Sequence, residues 1–267
     1  MSTAPPRILS IAGSDSSGGA GIQADIKTIT MLGGFAMTAI TCLTAQNTRG
    51  VQRVEPLAPD FVVAQIDSCV DDIGVDAVKI GMLGSAGIAR AVAERLSPLT
   101  VPVVFDPVMV ATSGAVLADE ATVAAFEQLM RRAMLVTPNL PELSVLSGLP
   151  VDTDEQIIRA ATLVAQTHDV AVLAKGGHAE GNRVRDVLID PDGRAASFED
   201  ARIDTRHTRG TGCTLSSAIA TLLGHGQPLE NAVRLARQFV RHALERAPGF
   251  GEGSGPMGHQ AVRTLAP

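Results

Sequence analysis

The chain has 267 residues, 45% of them hydrophobic and 19% charged, a globular composition that excludes a disordered protein and suffices for one large α/β domain. A net charge of -6 offers no basic face to a nucleic-acid backbone, and with no Trp, no Tyr and 3% aromatics there is little on which bases stack. Three cysteines (Cys42, Cys69 and Cys213) form no disulfide framework, the first apolar stretch is too short for a signal peptide, and no apolar run reaches the ~18–20 residues of a membrane span. We therefore expect a cytoplasmic protein with neither nucleic acid nor membrane as partner.

In chain order, short apolar runs alternate with amphipathic stretches, as in βαβ units around a mostly parallel sheet. Residues 8–12 predict a strand, followed by Gly13-Ser14-Asp15-Ser16-Ser17-Gly18-Gly19-Ala20-Gly21. That segment lacks the ending of a P-loop and the spacing of a dinucleotide fingerprint. It reads equally well as a structural turn or as a loop that lets a substrate ring approach backbone. A helix over 22–32 and a strand over 38–43 lead to Gln46, whose amide offers a donor and an acceptor together. In isolation, a glutamine satisfied by its own loop explains it better. A helix over 60–71, a strand over 77–81 ending at Met82, and a helix over 87–96 come next. The strand 101–105 then delivers Asp106 and Val108, the aspartate either binding metal or capping a turn.

Beyond a helix over 120–132 and a strand over 133–136, Asn139 and Glu142 open a further helix. Their oxygens suit a Mg²⁺ shell held through water, but helix capping explains the same pair and alone is the better account. A helix over 155–166 and a strand over 170–174 precede Lys175-Gly176-Gly177-His178, where the lysine is a cation for phosphates or a solvated strand end. Residues 184–189 and 194–203 predict a hairpin turned at Asp190-Pro191-Asp192-Gly193.

The strongest local signal is Arg209-Gly210-Thr211-Gly212-Cys213-Thr214, which opens a helix over 213–223; a last helix covers 229–247. Glycines allow a sharp turn that presents amides, and the helix N-terminus adds partial positive charge, so the segment makes an anion hole. A turn capping a core helix, with Cys213 as a small filler, is an equal alternative. A thiol in that first turn is expected to have a lowered pKa and to suit a nucleophile or base. His178, His207, His225 and His259 have no metal-ligand spacing and read as surface or loop residues. No repeat or linker divides residues 1–267, so one domain is expected. Its notable residues follow predicted strands, which in a doubly wound sheet brings them to one ligand-binding edge.

Together and in this order, the segments 11–27, 45–51, 79–83, 106–109, 137–142, 175–178, 210–216 and 251–256 resemble the hydroxymethylpyrimidine and hydroxymethylpyrimidine-phosphate kinases of the ribokinase superfamily. The resemblance implies a three-layer α/β sandwich with a mostly parallel central sheet, often a homodimer. The implied reaction is ATP-dependent phosphorylation of 4-amino-5-hydroxymethyl-2-methylpyrimidine, and of its monophosphate, in thiamine biosynthesis. It further implies that Gln46 reads the pyrimidine edge in a pocket lined by Gly13, Ala20, Met82 and Val108. Cys213, Gly210 and Gly212 would stand at the point of transfer, Lys175, Thr208 and Thr211 near ATP phosphates, and Asn139, Glu142 and Asp106 around Mg²⁺.

Two departures stand out. The family usually has Asn-Thr-His where this chain has His207-Thr208-Arg209, and often an acidic residue where Ala115 follows Thr112-Ser113-Gly114. The alternative is a pyridoxal or pyridoxine kinase of the same superfamily. A sugar kinase is disfavoured because Cys213 stands where those enzymes carry an aspartate base. A non-catalytic binding protein is disfavoured because Asn139, Glu142, Lys175 and Cys213 are all present.

Overall fold

A computed structural model describes residues 4–110, 114, 117–178 and 181–262; Thr112, Ser113 and Ala115 lie outside them. The elements are β1 (Arg7–Asp15), α1 (Gly21–Met31), β2 (Phe35–Asn47), β3 (Gly50–Pro56), α2 (Pro59–Asp72), β4 (Ala77–Ile80), α3 (Ala86–Leu96) and β5 (Val103–Phe105). They continue with α4 (Glu120–Arg132), β6 (Leu135–Val136), α5 (Leu140–Ser147), α6 (Asp154–His168), β7 (Ala171–Ala174), β8 (Arg183–Ile189), β9 (Ala195–Ala201), α7 (Thr211–Gly224) and α8 (Leu229–Glu245).

The nine strands among the described residues join one sheet in the order β3-β2-β1-β4-β5-β6-β7-β8-β9. Pairings from β2 to β7 are parallel, while β3 and the β8–β9 hairpin are antiparallel edges. Because strand side chains alternate between faces, each short strand feeds two cores. Leu9, Ile11, Val78, Ile80, Val103 and Phe105 pack with residues of α2, α3, α4 and α6. Their neighbours Ile8, Ala77, Val104 and Leu135 pack with α1, α7 and α8. The result is the expected helix–sheet–helix sandwich, and it sets the start of α7 beside the ends of the central strands.

Two expectations needed revision. β1 does not stop at residue 12 but runs to Asp15 through a register shift between Ala12 and Ser14, so part of the glycine segment is strand. β2 is also longer than predicted and turns back into β3, whose mostly exposed Gly-Val-Gln-Arg-Val-Glu-Pro residues carry too little apolar alternation to announce an edge strand. No helix among the described residues is long and apolar enough to cross a membrane.

Candidate active site

A cavity of about 820 Å³ opens along the carboxyl ends of the parallel strands, floored by Gly13, Met82, Asp106 and Lys175 and walled by the start of α7. The N-termini of α1, α5 and α7 line it, and those of α1 and α7 differ from the other helix starts among the described residues. The starts of α3, α4, α5 and α6 are capped by the side chains of Ser85, Asp119, Asn139 and Thr153, and α2 and α8 carry Asp60 and Glu230 in their first turns. The starts of α1 and α7, at Ala20 and Gly210, have neither a side-chain cap nor an acid. Ala20 N donates to Asp15, the Gly21 amide faces Cys213 and Thr211 N reaches the Thr208 carbonyl; the remaining first-turn amides and the partial positive charge are left for something that enters the cavity. Gly210 is required here: its φ is +79°, and a Cβ would lie 2.1 Å from the Gly19 carbonyl oxygen.

At one end of the cavity, Lys175 Nζ donates to Asp106 Oδ1 at 2.7 Å, and Thr137 Oγ1 donates to the same oxygen at 3.1 Å. Asp106 Oδ2 accepts no hydrogen bond among the described residues. Gly212 lets the start of α7 close over this pair, since a Cβ would come within 3.2 Å of Lys175 Nζ and 3.3 Å of Asp106 Oδ2. Burial works against the Lys175 charge, but Asp106 and Glu142 outweigh it and raise its pKa.

Asn139 and Glu142 form a complete capping box: Glu142 N donates to Asn139 Oδ1 at 2.9 Å, and Asn139 N to Glu142 Oε2 at 2.8 Å. The capping account of these two residues is thus realised, and Asn139 serves to hold Glu142 in place. Burial pushes the Glu142 carboxyl up to about 7, with Lys175 opposing and Asp106 reinforcing the rise. Among the described residues no three His, Cys, Asp or Glu side chains gather closely enough to grip an ion directly. Two carboxylates beside a cavity instead fit Mg²⁺ that keeps most of its water.

Cys213 corrects an expectation. Its thiol is not acidified; burial pushes it up to about 11, against the pull of Lys79 and the Gly21 amide and with the help of Asp25 and Asp106. Behind it lies a sealed network that the sequence reading left without a role. Lys79 Nζ donates to Asp25 Oδ2 at 2.8 Å, Ser10 Oγ to the same oxygen at 2.6 Å, and Ser217 Oγ to Oδ1 at 2.6 Å. All four side chains are fully buried. Burial disfavours the Lys79 charge, yet Asp25, Cys213 and Asp106 together raise its pKa. The signal was present: a lysine inside the four-residue apolar strand β4, and an aspartate on the apolar face of α1.

At the other end, Asp15 organises the loop between β1 and α1. Its Oδ1 accepts from Ser17 N at 2.8 Å and Ser17 Oγ at 2.7 Å, and its Oδ2 from Ala20 N at 2.8 Å and Arg209 Nε at 3.2 Å. Burial would raise this carboxyl, but Ser17, Arg209 and the approach of the Gln46 side chain hold it below the ordinary range. Ser16 Oγ accepts from Gln46 N and donates to Gln46 O, both at 3.0 Å, which fixes the backbone of Gln46 and leaves its amide on the cavity wall. The cavity also gathers Ala20 and Val108 beside Gln46, and Thr208 and Thr211 beside Gly210.

His259 corrects the other reading. It is no surface residue: it is 1% exposed, with Nε2 2.8 Å from Thr214 Oγ1 in the first turn of α7. Burial holds its pKa down to about 4, so the ring is neutral and braces the helix start.

The sequence matches the family model described as phosphomethylpyrimidine kinase over residues 15–258. It is 46% identical to the hydroxymethylpyrimidine/phosphomethylpyrimidine kinase of Streptomyces coelicolor, over 96% of this chain and 94% of that one. The crystal structure of Bacillus subtilis pyridoxal kinase in complex with ADP superposes with a TM-score of 0.89 at 35% identity, covering 97% of this chain and 99% of the other. The chain is also 44% identical to the thiamine biosynthesis multifunctional protein of Corynebacterium efficiens, of which it spans only 36% of the length.

Proposed function

The chain belongs to the phosphomethylpyrimidine kinase family, and on that premise we propose that it transfers the terminal phosphate of ATP to 4-amino-5-hydroxymethyl-2-methylpyrimidine and then to the resulting monophosphate. The observation that carries this reading is the convergence on one cavity of two uncapped helix N-termini, at Ala20 and Gly210, with the Lys175–Asp106 pair.

Gln46 holds the aminopyrimidine edge through paired hydrogen bonds, with Gly13, Ala20, Met82 and Val108 against the ring. Lys175, Thr208, Thr211 and the amides of Gly210 and Gly212 take the phosphates. The fixed donors lie where charge spreads over the transferring phosphoryl group, and positioned donors of this kind carry most of the catalysis of such a reaction. Asp106 and Glu142, the latter set by Asn139, would hold Mg²⁺, which would supply charge to neutralise the phosphates. Cys213 Sγ takes the proton of the hydroxymethyl group as the new oxygen–phosphorus bond forms. With its pKa near 11, its thiolate is a strong base but a scarce one, on the order of one molecule in 10⁴ at pH 7. By family resemblance we propose a single domain that works as a homodimer in the cytoplasm.

A pyridoxal kinase is the second reading, favoured by the similarity to the Bacillus subtilis enzyme. A panel of acceptors with MgATP separates the two: hydroxymethylpyrimidine, its monophosphate, pyridoxal, pyridoxine and ribose. The pyrimidine is expected to have the highest kcat/KM among the alcohols. A pyridoxal preference of more than tenfold would transfer the assignment to the second reading.

A further inference from the structure

Arg209 is 3% exposed, yet its guanidinium is only partly occupied. Its Nε donates to Asp15 Oδ2 at 3.2 Å, and among the described residues its side chain makes no other hydrogen bond. Its stem packs against Gly19, and its backbone is pinned by Arg209 N donating to the Gly255 carbonyl at 3.2 Å. Arg209 is thus held in the wall of the cavity, between Asp15 and Gly210 and next to the starts of α1 and α7. A buried guanidinium with spare donors, beside unused backbone amides, is matched by a doubly charged oxyanion. Asp15 does not compete for that role. It takes only the Nε donor, and its oxygens are shared among four donors, so it orients the arginine while the terminal guanidinium nitrogens make no hydrogen bond among the described residues.

We propose that Arg209 binds the phosphate of the phosphorylated acceptor and biases this enzyme toward the second transfer; the inference rests on the kinase reading above. In that step a non-bridging oxygen of the pyrimidine monophosphate attacks the γ-phosphorus of ATP. The bond from that phosphorus to the β–γ bridging oxygen breaks, and ADP leaves with its electron pair. The acceptor is already largely dianionic above its second pKa of about 6, so no proton has to be removed. The first acceptor, a neutral alcohol, has nothing for the guanidinium to grip.

The test compares kcat/KM for hydroxymethylpyrimidine and for its monophosphate in wild type, Arg209→Gln and Arg209→Lys. Arg209→Gln is expected to lower the value for the monophosphate at least tenfold more than the value for the alcohol, with Arg209→Lys in between. Binding of the monophosphate to wild type should also weaken below about pH 6, where the phosphate loses its second charge. Equal losses for both acceptors would reduce Arg209 to a brace for Asp15 and overturn the proposal, as would no loss for either. Calorimetric titration of the same monophosphate, without ATP, reads the contact independently of turnover: weaker binding in Arg209→Gln supports it and unchanged binding contradicts it. A wild type that phosphorylates neither acceptor would sink the kinase reading, and the titration would still decide on Arg209.

Discussion

Two lysine–aspartate pairs lie beside the start of α7, with nearly the same length and opposite surroundings. Lys79–Asp25, at 2.8 Å, is sealed, and both oxygens of its carboxylate are occupied by Ser10, Ser217 and the lysine. Lys175–Asp106, at 2.7 Å, stands on the floor of the cavity; its lysine side chain is 13% exposed and one carboxylate oxygen is free of hydrogen bonds among the described residues. Pair geometry alone does not separate scaffold from site. What separates them is whether the bonding capacity of the pair is used up inside the protein. A closed pair fixes the relative placement of β4, α1 and α7, whereas an open pair has bonds left for a ligand.

The sealed pair is broken most sharply by Lys79→Met, which leaves the Asp25 carboxylate buried without a counter-ion. Removing one partner of a buried pair typically costs about 3–5 kcal/mol, and urea unfolding should show a loss of that size. The double variant Lys79→Met, Asp25→Leu should recover a good part of it, because no uncompensated charge remains. A single variant as stable as wild type would mean that the pair holds nothing in place.

Next in size is Cys213→Ala, which probes the ground between the pairs. The alcohol has a proton to lose and the monophosphate does not, so the substitution should slow phosphorylation of the alcohol by about 10²-fold and that of the monophosphate far less. Because the thiol stays protonated up to about pH 11, the rate on the alcohol in wild type should climb with pH between 7 and 9, and that climb should vanish in the variant. Equal losses on both acceptors would make Cys213 part of the wall of the anion site.

The smallest effect belongs to the open pair's neighbour. With its carboxyl near 7, Glu142 is mostly protonated at pH 6 and mostly ionised at pH 8. Only the ionised form attracts a cation, so the Mg²⁺ concentration for half-maximal rate should fall roughly tenfold over that interval. Glu142→Gln should flatten the dependence; a wild-type requirement that does not move with pH would remove Glu142 from the ion's surroundings.

Much of this arrangement was legible in the sequence, because backbone-driven features leave local marks. The glycines at 210 and 212 announced an exposed helix start, and the apolar runs ending at Asp106 and Lys175 put those side chains at strand ends. Features that depend on contacts across the fold were harder to read. Nothing beside Cys213 in sequence reveals that burial and two nearby carboxylates outweigh the helix start and raise its thiol, since Asp25 and Asp106 arrive from other elements. His259 lacked any local pattern because its partner Thr214 is 45 residues away. That an arginine at 209 stands beside the anion hole and bears on phosphate binding was legible from its place before Gly210; the contact that orients it emerges only when Asp15, distant by 194 residues, comes to face it.

The central claim, that the open pair receives the phosphates of ATP while the sealed pair takes no part in holding them, is tested most directly by nucleotide binding. MgATP titrated calorimetrically into Lys175→Met and Lys79→Met, at a temperature where both remain folded, should bind at least tenfold more weakly to the first and close to wild type to the second. A charged hydrogen bond to phosphate, at about 1.5–3 kcal/mol, is large enough for that separation. Equal affinities in the two variants, or a greater loss in Lys79→Met, would contradict the account.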